Sequence, residues 1–178
     1  MDEIYKTARE VGYNNNKDIK FKKIKGIYIK KFRTIENKMI ELGNQVTIIS
    51  GKNGTMKSCI LGLIAHPFSS PNNAKDSFGN VLKTDMRNVF FLSLEKDNVS
   101  YYYDLIVETM EDKVFAEPIR CYPRPKENRH RITVGKDNQS GRGNFLLNTS
   151  YINLKRLYPI VETKAIKDDN GIDEDLKK

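Results

Sequence analysis

The stretch Ile48-Ile49-Ser50-Gly51-Lys52-Asn53-Gly54-Thr55-Met56-Lys57-Ser58 decides how the rest of the chain is read. A β-rich run, Val46 to Ile49, empties into a loop with two glycines that ends in Lys57-Ser58. An apolar segment of helical character follows, with Ile60, Leu61, Leu63, Ile64 and Ala65. Strand, glycine loop, Lys-Ser and helix, in that order, make a phosphate-binding loop. Gly51 and Gly54 let the backbone take positive φ and come close to an anion. Successive amides form a nest for that anion, and the positive end of the helix faces it. Lys57 supplies a mobile charge for the β- and γ-phosphates, and the Ser58 hydroxyl is a candidate Mg²⁺ ligand. The usual spacing, GxxxxGK[ST], sets glycine directly before the lysine. Here Met56 stands there, so the position must hold a backbone conformation that a side chain tolerates.

Upstream of the loop, residues 1–20 are polar, with Asn14-Asn15-Asn16 in the middle, and read as a flexible leader or short helix outside the core. From Lys20 to Arg33, Ile24, Ile27, Ile29 and Phe32 are interleaved with Lys22, Lys23, Lys25, Lys30, Lys31 and Arg33. That alternation predicts a strand with one buried and one basic face. Lys38 to Leu42 is a second strand, closed by Gly43-Asn44. Gln45 to Ile49 is a third, apolar enough at its end to be central and buried.

Downstream, Pro67 ends the helix and residues 69–80 form a Ser/Pro/Asn loop. Val89 to Leu94 and Val99 to Glu108 are predicted to pair as a hairpin across Glu95-Lys96-Asp97-Asn98. Val99, Tyr101, Tyr103, Leu105 and Val107 share one face of its second strand. Lys113 to Cys121 and Arg131 to Val134 add strands around a basic, proline-containing loop from Tyr122 to Arg129. A second loop spans 135–143, and 151–160 is an apolar-basic segment. Residues 163–178 are charged and poor in hydrophobes, as in a disordered tail or the beginning of something longer.

A length of 178 residues suits one domain with a core of its own. No apolar run approaches the roughly 20 residues of a membrane helix, and Met1 to Lys6 has no signal-peptide character. Cys59 and Cys121 are too sparse for a disulfide framework, so a cytoplasmic location is expected. They form no recognised zinc spacing with His66 and His130, each of which reads as a turn or surface residue. The formal net charge of +8 suits a polyanionic partner, a nucleic acid or a nucleotide's own phosphates.

Several classes of phosphate-loop protein are excluded by the residues downstream of the loop. A GTPase needs a base-reading Asn-Lys-x-Asp there, and Asn16-Lys17-Asp18 lies upstream. A small-molecule kinase would continue in helices with an arginine-rich lid. An AAA+ ATPase would show an apolar strand ending in Asp-Glu, which Phe90 to Glu95 lacks. The remaining pattern is a basic strand ending in Phe32-Arg33, a short strand, a glycine turn, an apolar strand and the loop 51–58. It resembles the N-terminal lobe of SMC-like ABC ATPases, the SbcC, RecF and OLD-type proteins among them. Tyr151 to Pro159 is similar to a Leu-x-Arg-Leu-Tyr-Pro stretch near the end of that lobe in some of these ATPases.

The resemblance implies an α/β fold, a P-loop NTPase lobe of the ABC type with an antiparallel β-subdomain, over residues 21–162. It implies ATP and Mg²⁺ as cofactors. Gly51, Lys52, Asn53, Gly54, Thr55, Met56, Lys57, Ser58 and Cys59 would surround the phosphates, Ser58 would hold the metal, and Arg33 and Thr34 would lie beside the nucleotide. The complete family hydrolyses ATP between two heads in DNA repair, recombination or phage defence, with DNA as a candidate partner. This chain carries no Walker B strand, no LSGGQ-like signature beyond an echo at Gln139 to Gly143, and no general base. ATP binding without appreciable hydrolysis is therefore expected, and a C-terminal lobe or second head is the expected partner.

The rival reading is a basic nucleic-acid module in which the phosphate loop is vestigial. Lys22, Lys23, Lys25, Lys30 and Lys31 form one patch, Arg120, Arg124, Arg129 and Arg131 a second, and Tyr101, Tyr102 and Tyr103 offer rings for base stacking.

Overall fold

The computed structural model describes residues 5–72, 74–75, 79, 89–90, 92–135 and 143–149. Its body is an antiparallel sheet of β1 (Phe21–Phe32), β2 (Ile35–Glu41), β4 (Tyr101–Thr109), β5 (Val114–Arg124) and β6 (Arg129–Val134), in the order β2-β1-β4-β5-β6. One α-helix, α1 (Lys57–Ala65), two short 3-10 helices, Asn16–Asp18 and Pro125–Glu127, and a two-residue parallel pair, β3 (Phe68–Ser69) with β7 (Phe145–Leu146), complete the regular elements among the described residues. The fold is thus α/β with a largely antiparallel sheet.

The alternation of β1 does what its sequence predicts. Ile27, Ile29 and Phe32 are fully buried, and the lysines lie on the opposite side. Phe32 is out of phase with Ile29 by one residue. The register against β4 shifts between Ile29 and Lys31, and that irregularity turns Phe32 back to the core. β4 presents Tyr101, Tyr103, Leu105 and Val107 to the same side, and β5 presents Phe115, Ile119 and Cys121. Onto this face pack Ile60 and Leu63 of α1, together with Phe68, Val89, Phe90 and Phe145. Phe32 lies 5.2 Å from Phe90 and 4.8 Å from Tyr101 between ring centroids, and Phe21 meets Phe68 and Phe145 edge-on at 5.4 and 5.1 Å.

Four expectations are corrected here. Residues 5–20 are no leader outside the core. Ala8, Asn16 and Ile19 are buried, and the Ala116 N–H donates to the Lys6 carbonyl at 2.9 Å. The Ala8 N–H donates to the Glu117 carboxylate at 2.9 Å, and Met110 N–H to the Lys20 carbonyl at 2.9 Å. A polar segment is held because β5 leaves backbone donors and one buried carboxylate for it to satisfy.

Gln45 to Ile49 forms no strand, and Val46 and Ile48 are 75 and 86 % exposed. β propensity makes a strand only where a neighbour supplies the ladder, and none of the five strands takes this run as a partner. The hairpin across 95–98 is also absent. Val89 and Phe90 are helical, and β4 pairs instead with β1 and β5. The connection Tyr122 to Arg129 is shorter than a loop of that length. Tyr122 to Arg124 prolongs β5, and a single 3-10 turn, Pro125–Glu127, leads into β6. The segments 136–142 and 150–178, with the Gln139 echo, the Tyr151 to Pro159 stretch and the charged tail, lie outside the described residues.

Candidate functional site

The glycine loop runs from Gly51 to Met56 on the surface and passes directly into α1. Gly54 has φ of 81°, and Met56 sits at φ 63°, ψ 20°, in the left-handed region. That region costs a residue with a Cβ roughly 1–2 kcal/mol. The glycine demanded by the usual spacing would meet no such cost. The methionine therefore keeps the loop's backbone at the expense of local strain. Met56 is also the residue that starts α1, and no side chain caps the helix there. The first-turn amides are thus left to whatever approaches from the loop.

Lys57 folds back across the loop, its Nζ donating to the carbonyls of Gly51 at 2.8 Å and Lys52 at 2.7 Å. The Thr55 hydroxyl donates to the same Lys52 carbonyl at 2.7 Å. A Cβ on Gly51 would come within 3.0 Å of the Thr55 Oγ1, so the turn is close as well as bent. Ammonium, hydroxyls and loop backbone are gathered within one exposed turn, and the positive end of α1 lies beneath them. The donor set fits a phosphate. It fits a metal ion only in a nucleotide's company: Ser58 offers one hydroxyl, and among the described residues no group of three or more His, Cys, Asp or Glu side chains comes together.

Arg33 and Thr34 form the two-residue turn between β1 and β2, with Phe32 paired to Ile35 and Arg33 at φ 53°. The Arg33 guanidinium is engaged inward. Its Nε donates to Asp97 at 3.0 Å, and its Nη2 donates to Asp97 at 3.2 Å and to the Phe90 carbonyl at 2.8 Å. Arg33 is close enough to act on the Cys59 thiol, whose pKa burial raises and whose neighbouring guanidinium pulls it back. The end of β1 and the first turn of α1 are therefore neighbours. The guanidinium is, however, already occupied.

Asp97 is the hub that the sequence did not reveal. It is buried, and besides Arg33 it accepts from the Tyr101 hydroxyl at 2.7 Å and from the Ser93 N–H at 2.9 Å. Its own carbonyl accepts from His130 Nε2 at 2.8 Å. Burial alone would push its carboxyl up. The hydrogen bonds from Arg33, Tyr101 and Ser93, with the arginine's charge, bring it down to about 2. The Tyr101 phenol is correspondingly pushed up by burial and by that carboxylate. Sequence reasoning placed Asp97 in a hairpin turn and each histidine in a turn or at the surface; His66 does lie in the turn after α1. In the structure His66 is buried, and His130 holds the Asp97 backbone.

The two basic patches fare differently. On β1 Lys22, Lys23, Lys30 and Lys31 are matched by carboxylates. Lys22 bridges Glu108 and Asp112 at 2.8 and 2.6 Å, Lys30 meets Asp104 at 2.8 Å, and Lys31 meets Glu36 at 3.2 Å. Much of that patch's charge is therefore paired. Tyr101 and Tyr103 are buried in the core, so neither ring is available for stacking. Tyr102, between them, faces the other way beside Arg120.

Among the described residues no helix is long and apolar enough to cross a membrane. Comparison of the chain with protein-family models, with curated proteins and with solved structures finds no match.

Proposed function

We propose that this chain binds the phosphates of a nucleotide, ATP in the first instance, at the loop 51–58, as the N-terminal lobe of an SMC-like ABC ATPase head. The observation that carries the reading is Met56 in the left-handed region immediately before Lys57-Ser58. A left-handed methionine where the phosphate-loop spacing places glycine keeps, at a cost in strain, the backbone that such a loop uses.

Lys57 would leave the Gly51 and Lys52 carbonyls to meet the β- and γ-phosphates. The amides from Asn53 to Lys57 and the uncapped first turn of α1 would hold the same oxygens. Ser58 would hold Mg²⁺ carried in by the nucleotide, and the ion would neutralise charge on the phosphates. Arg33 takes a supporting place: through Asp97 and Phe90 it fixes the β1–β2 turn beside α1.

The exposed side chains of Val46 and Ile48 support the second half of the reading. An apolar strand sequence that leads into the loop without a ladder partner is what a lobe needing strands from a second lobe would present. DNA repair, recombination or phage defence is the setting that this likeness would carry with it.

Titration of the chain with a fluorescent ATP analogue and Mg²⁺ tests the proposal. Binding that disappears in Lys57→Ala, with the fold intact by circular dichroism, is the expected result. Binding that is unchanged in Lys57→Ala removes the loop as the site.

A further inference from the structure

The side of the sheet turned away from the core is not uniform. Toward β1 and β2, Lys22, Lys23, Lys30 and Lys31 are paired with Glu36, Asp104, Glu108 and Asp112. At the opposite corner, where β4, β5 and β6 meet, the side chains are of another kind. Tyr102 pairs with Arg120, Tyr122 with Arg131 and Arg124 with Arg129, all on that one side.

The Arg120 guanidinium lies 5.6 Å from the Tyr102 ring centroid and 4.9 Å from that of Tyr122, so it is flanked by two rings. Arg124 continues the series, 5.8 Å from Tyr122. The result is a cluster in which rings and guanidinia alternate, held by cation–π contact and by the Arg120 Nη2 bond to Ser100 Oγ at 3.1 Å. Among the described residues Glu127 is shared by Arg124 and Arg129, which leaves a positive excess carried by Arg120 and Arg131.

We infer that this corner binds single-stranded nucleic acid, with unpaired bases stacked against Tyr122 and Tyr102 and the backbone phosphates drawn to Arg131 and Arg124. Every base has a π-face that a tyrosine ring or a guanidinium can cover, so such a surface takes single strands with little regard to sequence. A duplex keeps its bases inside and gains only the charge. An acidic peptide gains the charge but has no bases to stack. Tyrosine and arginine on a sheet edge would serve solubility equally well if scattered. Here they are interleaved and in contact, so a base that reaches the corner meets rings and guanidinia side by side. The inference is independent of the nucleotide loop.

The test is fluorescence anisotropy of the full chain with labelled oligothymidylate and oligouridylate of about 12 nucleotides, a length within the usual single-strand site sizes. The expected slope of log Kobs against log salt is about −2, near −0.7 for each of roughly three phosphates. Tyr122→Ala weakens binding about tenfold, whereas Tyr122→Phe, which keeps the ring, stays within about twofold. Arg131→Gln, at an exposed position, reduces the slope by about 0.7. Comparison of the two oligonucleotides tells DNA from RNA as the source. Binding retained in Lys57→Ala assigns it to the corner; binding lost there overturns the inference. A duplex or an oligoglutamate bound as tightly as the single strand overturns it too, as does a slope unmoved by Arg131→Gln.

Discussion

Two residues concentrate the energetics, and each is out of keeping with its surroundings. Met56 occupies a left-handed conformation that favours glycine. Met56→Gly should relieve that strain, less the extra freedom glycine has when unfolded, for a net gain of roughly 0.5–1 kcal/mol in urea denaturation. It should also tighten nucleotide binding, because the loop then adopts its backbone freely. A variant that is less stable and binds more weakly would mean that the methionine side chain is itself a contact. Asp97 is the opposite case, a charge sunk into the protein and kept ionised by Arg33, Tyr101 and the Ser93 amide. Its folded pKa is depressed to about 2. The stabilisation it brings is therefore full above the ordinary aspartate pKa and declines as pH falls from about 4 toward 2. The shift corresponds to about 2 kcal/mol. Asp97→Asn should lower stability at neutral pH by about that amount or more, because Arg33 is left without its counter-charge. It should also flatten the acid limb of the unfolding profile. An unchanged acid limb would show that other carboxylates carry it.

At the scale of elements, the contact of α1 with the 89–90 segment decides where the loop sits. Gly62 lets it happen: a Cβ there would lie 2.2 Å from Val89 Cγ1 and 3.0 Å from the Phe90 ring. In an isolated helix Gly62→Ala would gain about 1 kcal/mol. Here the methyl must push Val89 and Phe90 aside, and Phe90 is packed on Phe32 and bonded to Arg33 through its carbonyl. A net loss of about 1–3 kcal/mol is expected in thermal unfolding, together with weaker nucleotide binding as α1 shifts. The strands show what was legible. The period-two burial of β1, β4 and β5 could be read from Ile27 and Ile29, from Tyr101 to Val107, and from Phe115 to Cys121. The pairing of Val89 to Leu94 could not, because a short apolar run satisfies helix and strand alike and only its neighbours choose.

For the whole molecule the telling feature is asymmetry of cover. One side of the sheet is closed by α1, the N-terminal segment and the aromatic pairs, while Val46 and Ile48 stand in solvent beside the loop. Exposed apolar residues next to a candidate site promote self-association. Val46→Lys with Ile48→Lys should leave thermal stability within about 0.5 kcal/mol, since neither side chain is packed. The same pair should reduce concentration-dependent association in sedimentation velocity. A large loss of stability would instead place the run inside the fold in solution.

The turn at Gly51 to Met56 and the helix that follows it were readable in the sequence, because glycine turns and an apolar helical run are properties of near neighbours in the chain. The same holds for the faces of the long strands, where alternation is a property of neighbours in sequence. What tertiary structure alone decided is everything that depends on distant partners. Ala8 is anchored by Glu117, and Asp97 gathers Arg33, Tyr101 and His130. Carboxylates pair with Lys22, Lys23, Lys30 and Lys31 of β1 while the arginines of β5 and β6 stand in excess, and the apolar approach to the loop finds no strand to pair with. Burial, charge balance and ladder partners are relations between segments tens of residues apart, and the spacing of residues along the chain does not encode them.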